Sequence, residues 1–298
     1  SHNYIDFLLN RIGLSSYSTE IPSIDDIVLH NSMVHFQTPY NLETGDKQST
    51  PVITEKELLD DEVNLDLALV SDKPTCLAIV SLDEKGGALY EFKIEGTAPF
   101  DFLPSWLPDP SRYKPQVLHI ATLVTVIEPA CDVLYDWAMQ VAEFAPIVFD
   151  PNVRSVVIND REKYVAAVER WVALSSVVKV SDDDLAWLYP SESYREVAER
   201  WIAGGVTLVV ITQGAAGLIG VTADGAVEVP GIKVDVVDTV GAGDTVGAIV
   251  VEAMVEKGIL ALTGDTLKEV LHRAAVAAGI TCSRAGAQPP YKRELKGV

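Results

Sequence analysis

Positive charge, cysteine and long apolar runs are all scarce in this chain, and each scarcity excludes something. Lys and Arg number 23 against 43 Asp and Glu, a formal net charge of −20. Such a field repels the phosphate backbone of a nucleic acid and an anionic membrane surface, so neither is expected as a partner. An anionic small ligand would need local compensation from backbone N–H groups, a divalent cation and a few Lys or Arg. The cysteines are only Cys76, Cys131 and Cys282. They are odd in number, far apart and without metal-ligand spacing, which suits reduced thiols and small buried apolar residues. No stretch approaches the roughly eighteen uninterrupted apolar residues of a membrane span. The start, Ser1-His2-Asn3-Tyr4-Ile5-Asp6, lacks the basic flank and apolar run of a signal peptide. A soluble cytoplasmic protein is expected.

What is present reads as one α/β domain over residues 1–298. Hydrophobic residues make up 48% and charged residues 22%, the ordinary globular range. From about residue 117 apolar runs of strand length alternate with amphipathic helices, the pattern of a parallel sheet with helical crossovers. Val117 to Thr122 reads as a strand. Val133, Leu134, Trp137, Ala138, Val141 and Ala142 follow at helical spacing, and Pro146 ends that segment before Ile147-Val148-Phe149-Asp150. The unit recurs with a helix near 160–174, a strand at Val177–Val180, helical stretches through Trp201 and a strand at Thr207–Thr212. Functional residues of doubly wound sheets lie at the C-terminal strand ends, where Asp150, Ser181 and Thr212 fall. Two segments read instead as hairpins around tight-turn glycines, Thr75 to Ile94 at Gly86-Gly87 and Leu218 to Val229 at Asp224-Gly225. The first is charged and is expected to serve either as a flap or as a plain sheet edge. Residues 24–65 are the least legible and receive no chemistry.

The chemistry concentrates in Asp238-Thr239-Val240-Gly241-Ala242-Gly243-Asp244-Thr245, which opens a helical pattern at Val246, Ile249, Val250, Ala253 and Met254. Backbone N–H groups of Gly241, Ala242 and Gly243 can converge there on an anion, helped by the positive end of the helix dipole. Small residues let a phosphate approach closely. A carboxylate at that mouth makes poor sense as a phosphate ligand and good sense as a base or metal-linked group, which marks Asp244. Local spacing alone also fits Asp244 as an ordinary helix N-cap. The GxxxxGK pattern of P-loop enzymes occurs nowhere, and the dinucleotide pattern fails because its third glycine position holds Val246. A nicotinamide dehydrogenase is therefore disfavoured.

The segment Asp238 to Thr245 resembles the C-terminal signature of the ribokinase (PfkB-type) carbohydrate kinases in residue order, following helix and place in the chain. Asp150-Pro151-Asn152-Val153-Arg154 and Lys179-Val180-Ser181-Asp182-Asp183-Asp184-Leu185 resemble the fructokinase-like members. Ile211 to Gly217 is similar to the family's nucleotide-side turn, and Cys282 to Ala287 to its C-terminal nucleotide-pocket loop. The resemblance covers residues 70–298 and implies a ribokinase-like doubly wound, mostly parallel sheet flanked by helices, with a small β flap within 75–94. It implies ATP-dependent phosphorylation of a sugar hydroxyl, with fructose preferred, Asp244 as base and Gly241, Ala242 and Gly243 as anion hole. Thr212, Gly214, Gly217, Lys179 and Ala275 would border the nucleotide, with Ala275 where several members carry Asn. Asn152 and Arg154 would meet substrate or transferred phosphate. Asp184, in place of the usual Glu, would reach Mg²⁺ through water, and Asp238 with the Val240 carbonyl would hold a monovalent cation such as K⁺. A small-molecule sugar is the expected partner, and a homodimer is compatible with the family.

Departures gather at the start of the chain. The family's first strand, with its sugar-binding Asp, and the Gly-Gly after it have no counterpart, while Asn3 to Gly13 resembles the helix that follows them. Either the chain begins after that strand or this region has diverged. Ile249 also stands where the signature has a small residue, and Val246 where Phe is common. These departures keep open a second expectation, a catalytically inactive kinase fold serving as scaffold or binding protein in a larger assembly.

Overall fold

The computed structural model describes residues 27–30, 35–37, 61, 63–65, 67–68, 71, 73–74, 76–82, 88–100, 103–113 and 115–298. The resemblance of Asn3 to Gly13 and most of the stretch 24–65 lie outside them. Ten strands are described: β1 Ile27–His30, β2 His35–Gln37, β3 Leu77–Leu82, β4 Ala88–Lys93, β5 Val117–Ala121, β6 Ile147–Asp150, β7 Val177–Ser181, β8 Leu208–Thr212, β9 Gly217–Thr222 and β10 Gly225–Pro230. The helices are α1 Pro110–Tyr113, α2 Ala130–Val141, α3 Arg161–Leu174, α4 Asp182–Leu188, α5 Tyr194–Ala203, α6 Ala242–Lys257 and α7 Gly264–Cys282. A seven-stranded sheet runs in the order β1-β5-β6-β7-β8-β9-β10. Its first five members are mutually parallel, β9 turns back antiparallel to β8, and β10 is antiparallel to β9 at one edge.

The parallel strands read as unbroken apolar runs because both faces are covered. Side-chain alternation sorts them into two cores. Leu118, Ile120, Phe149, Val178, Val180, Val209 and Ile211 face α2 to α5 and meet Trp137, Tyr164, Trp171, Leu185 and Trp201. Val117, Val148, Val177, Leu208 and Val210 face α6 and α7, packing on Val246, Ile249, Val250, Leu267 and Leu271. Trp171 is fully buried and donates its indole N–H to the Thr125 carbonyl at 3.0 Å, so truncating it to Ala should cost about 3–5 kcal/mol. Caps fix where helices start: Asp160 accepts from the Lys163 N–H before α3, and Ser193 with Glu196 forms a reciprocal capping box on α5.

The hairpin expected within 75–94 is present as β3 and β4, paired from Leu77 opposite Lys93 to Leu82 opposite Ala88. With β2 it forms a separate three-stranded sheet. Phe92 and Ile94 pack on the core that faces α2 to α5, which roots this sheet in the main body. The second expected hairpin is β9 and β10. Among the described residues no helix is long and apolar enough to cross a membrane.

Candidate active site

Strand alternation decides which polar side chains meet. His119, Val148 and Val210 lie on the sheet face toward α6, and so do Asp150 and Lys179, each two residues from a member of that core. Asp150, the last residue of β6, and Lys179 of β7 form an ion pair, Nζ to Oδ2 at 2.7 Å, with side chains only 1% and 7% exposed. The other Asp150 oxygen accepts the Asn152 N–H at 3.1 Å. Asn152 sits at φ +39, a left-handed conformation that Asn tolerates, and its carbonyl accepts from Thr122 Oγ1 at 3.4 Å. Next along the loop, the Val153 N–H donates to Asp184 Oδ1 at 3.2 Å and the Arg154 N–H to the Tyr164 hydroxyl at 3.1 Å. The loop after β6 is thus tied to α3, to α4 and to Thr122 after β5.

Asp184 is the third residue of α4, whose N-cap is Ser181; the Ser181 hydroxyl accepts the Asp184 N–H at 3.0 Å. Burial, reinforced by the neighbouring Asp150 charge, pushes the Asp184 carboxyl up to about 6. Of the three acids that open this helix, Asp183 points to solvent while Asp184 turns in, so a merely solvated acidic turn does not describe it.

Gly241 takes the N-cap position of α6 at φ +81 with no side-chain cap bond. This settles the alternative left open by the sequence: Asp244 is the third helical residue, not the cap. Its carboxylate is half-buried and makes no hydrogen bond among the described residues. Burial raises its pKa above the usual carboxylate range; Lys179 and Arg154 oppose this and Asp150 adds to it. Of the expected anion-hole donors, Ala242 already gives its N–H to the Thr239 carbonyl, at a long 3.3 Å. Glycine at 243 has a cause the sequence did not reveal, since a Cβ there would come within 2.7 Å of Lys179 Nζ.

Asp238 joins two loops: one oxygen accepts the Val240 N–H at 3.0 Å and the other the Gly286 N–H at 2.9 Å. The Cys282 carbonyl accepts from the Val237 and Asp238 N–H groups, and the Thr245 and Thr281 hydroxyls meet at 2.9 Å between α6 and α7. Thr212 ends β8, and Gly214 follows at φ +50 with open space where a Cβ would be. Gly217 is demanded by packing, because a Cβ would lie 2.1 Å from the Val229 carbonyl oxygen. Ala275 is buried in the core between α7 and the sheet.

His119 escaped the sequence reading, although an ionisable residue within Val117-Leu118-His119-Ile120-Ala121 was a visible irregularity. It is 1% exposed and its Nδ1 has no hydrogen-bond partner among the described residues. Burial, with a smaller contribution from Lys179 and against the pull of Asp150, drives its pKa down to about 4.

The profile described as "pfkB family carbohydrate kinase" matches residues 53–294. A fructokinase of Rhizobium leguminosarum bv. trifolii is 38% identical over 180 residues, covering 60% of this chain and 54% of that protein. Fructokinase-2 of Zea mays is 30% identical over 220 residues, 72% of this chain and 65% of its own length. The chain therefore spans between about half and two-thirds of these relatives. Among solved structures, Xylella fastidiosa fructokinase with bound ATP superposes with a TM-score of 0.77 at 18% identity, over 98% of this chain and 87% of that one. Vibrio cholerae O395 fructokinase with fructose, ADP and calcium ion gives 0.69 at 24% identity, over 80% and 78%. These likenesses establish the mostly parallel, helix-flanked fold, and with the profile spanning most of the sequence the chain belongs to the pfkB family of carbohydrate kinases.

Proposed function

We propose that this protein phosphorylates a sugar hydroxyl with ATP, fructose being the preferred acceptor, and that Asp244 is the base. The observation that carries this reading is a half-buried carboxylate without a hydrogen-bond partner, held in the first turn of a sixteen-residue helix beside the Lys179 ammonium. In the step proposed, the acceptor oxygen bonds to the γ-phosphorus and the bond from that phosphorus to the bridging oxygen breaks. ADP leaves with that electron pair, and the hydroxyl proton passes to Asp244. Phosphoryl transfer through a loose transition state needs positioning and charge stabilisation above all. The N–H groups at Gly241 and Gly243, with that of Ala242 exchanged from Thr239, would face the phosphoryl oxygens. Arg154 would add positive charge and Asn152 would meet the acceptor. Thr212, Gly214 and Gly217 would border the nucleotide, with Ala275 behind them on α7.

The donor set fits a weakly caged Mg²⁺. Among the described residues no group of three or more His, Cys, Asp or Glu is placed to hold a metal. Mg²⁺ ordinarily keeps several waters and binds through one or two carboxylates plus phosphates, a role open to Asp184 through water. Bound there, it would neutralise phosphate charge. Asp238 uses one lone pair of each oxygen on a backbone N–H and retains others, so with the Val240 carbonyl it fits a monovalent cation such as K⁺. The fructokinases among the relatives and structural neighbours support fructose over other sugars.

An ADP-release assay with MgATP across fructose, glucose, ribose, ketodeoxy acids and nucleosides tests the reading. Turnover highest on fructose is expected. Turnover on a nucleoside alone would overturn the acceptor, and no turnover on any acceptor would overturn the kinase.

A further inference from the structure

Lys179, expected from the resemblance to border the nucleotide, is instead a buried charge paired with Asp150, and the proposed reaction leaves it without a specific task. Its neighbours Val178 and Val180 are fully buried, so up to its last residue, Ser181, the strand would be apolar without it. The ion pair with Asp150 satisfies the ammonium, yet removing two charges from water costs several kcal/mol per ion, and apolar replacements of similar volume often stabilise as well or better. Stability alone does not explain a lysine here. The glycine loop gives a second observation, because a Cβ at residue 243 would come within 2.7 Å of the ammonium, and the next residue is Asp244. The charged groups facing Asp244 are Lys179 from β7, Asp150 from β6 and Arg154 from the loop after β6. Asp184 on α4 faces Lys179 in turn, and His119 on β5 faces both members of the pair. Burial works to lower the Lys179 pKa, but Asp150 and Asp244 outweigh it and hold the ammonium protonated.

We propose that Lys179 is a positioning residue: clamped by Asp150 beneath Gly243, it supplies the fixed positive charge against which the Asp244 carboxylate and the loop before it are set. Asp150 aims the ammonium from one side and the glycine backbone limits it on the other. Lys179 thus acts from below the loop, while phosphate would arrive from the open side. The catalytic part of this inference rests on Asp244 being the base; the electrostatic part does not.

The test compares the parent with Lys179→Met and with Lys179→Met/Asp150→Asn, the second leaving no buried carboxylate unpaired. Titration of the Asp244 carboxyl is followed by ¹³C NMR, its signal assigned by loss in Asp244→Asn. Lys179 acts on Asp244 more strongly than Asp150 does, so the double variant should titrate higher than the parent. Its kcat at pH 7 should fall about tenfold or more with KM for ATP within about threefold, a loss confined to the transition state. An unmoved titration overturns the proposal, as does a shifted titration with unchanged kcat, or a double variant that fails to fold. Should the parent turn over no acceptor, the kinase reading fails, and the titration still decides the role of Lys179.

Discussion

Replacing Asp244 by Asn removes a negative charge and leaves the shape almost unchanged, so the consequences can be worked out contribution by contribution. Asp244 makes no capping bond, because the N-cap is Gly241. The substitution loses the favourable charge–dipole interaction of the first turn, about 0.3–1 kcal/mol, together with the attraction of Lys179 and Arg154 for the carboxylate, which burial outweighs. Relief of burying a carboxylate whose pKa is already raised offsets part of that. The net change in stability should stay under about 1 kcal/mol, a shift in Tm of no more than about 2–4 °C. Affinity for ATP should stay within about threefold or tighten, since the anion hole is backbone and a like charge has gone. Turnover should fall by about 10²–10⁴, the usual range for losing a general base, equivalent to about 2.7–5.4 kcal/mol of transition-state stabilisation. Calorimetry with a non-hydrolysable ATP analogue, a melting curve and kcat from ADP release give all three quantities on one preparation. Full turnover in Asp244→Asn would refute the reasoning.

Three further outcomes follow from burial and packing. The Asp184 carboxyl lies at about 6 against 3.8 unperturbed, so the folded state binds more protons than the unfolded between those values and its stability falls as pH rises through that window. Asp184→Asn, whose amide oxygen can still accept the Val153 N–H, should melt higher than the parent at pH 8 and equally at pH 4, and a lower Tm at pH 8 would contradict this. His119 has the opposite sign: with its pKa down at about 4 from 6.5, it weakens the fold as pH drops below 6.5, so the fall in Tm from pH 7 to 5 should be smaller in His119→Met, and an equal fall would count against it. Gly217→Ala forces a Cβ to 2.1 Å from the Val229 carbonyl oxygen at φ +119, which should cost about 3 kcal/mol or more in urea unfolding, whereas a loss below about 1 kcal/mol would show that β10 yields.

The sequence disclosed the parallel half of the fold because strands buried on both faces become apolar runs, and Pro146 and the Ser and Asp caps punctuate them. It did not disclose β1 and β2. They are four and three residues long, too short for a period to register. At the site, the glycine segment before α6 was legible from local pattern, and the residues after β6 only through their resemblance to the family. The Asp150–Lys179 pair was not, since its members are 29 residues apart and meet only through strand register. For the same reason Gly243 could be read only as a phosphate-approach glycine, and its contact with Lys179 needed the third dimension. That Asp244 is not the helix cap turned on one backbone position, that of Gly241, which composition does not encode.

The carboxylate of Asp238 binds the loop before α6 to the loop after α7 across 48 residues of chain. The Gly286 amide hydrogen can therefore exchange with solvent only when Asp238 releases it. Its exchange rate becomes a built-in gauge of how often the approach to Asp244 comes apart, readable without substrate or nucleotide. A ligand seated against either loop should slow that one amide before it alters any melting temperature.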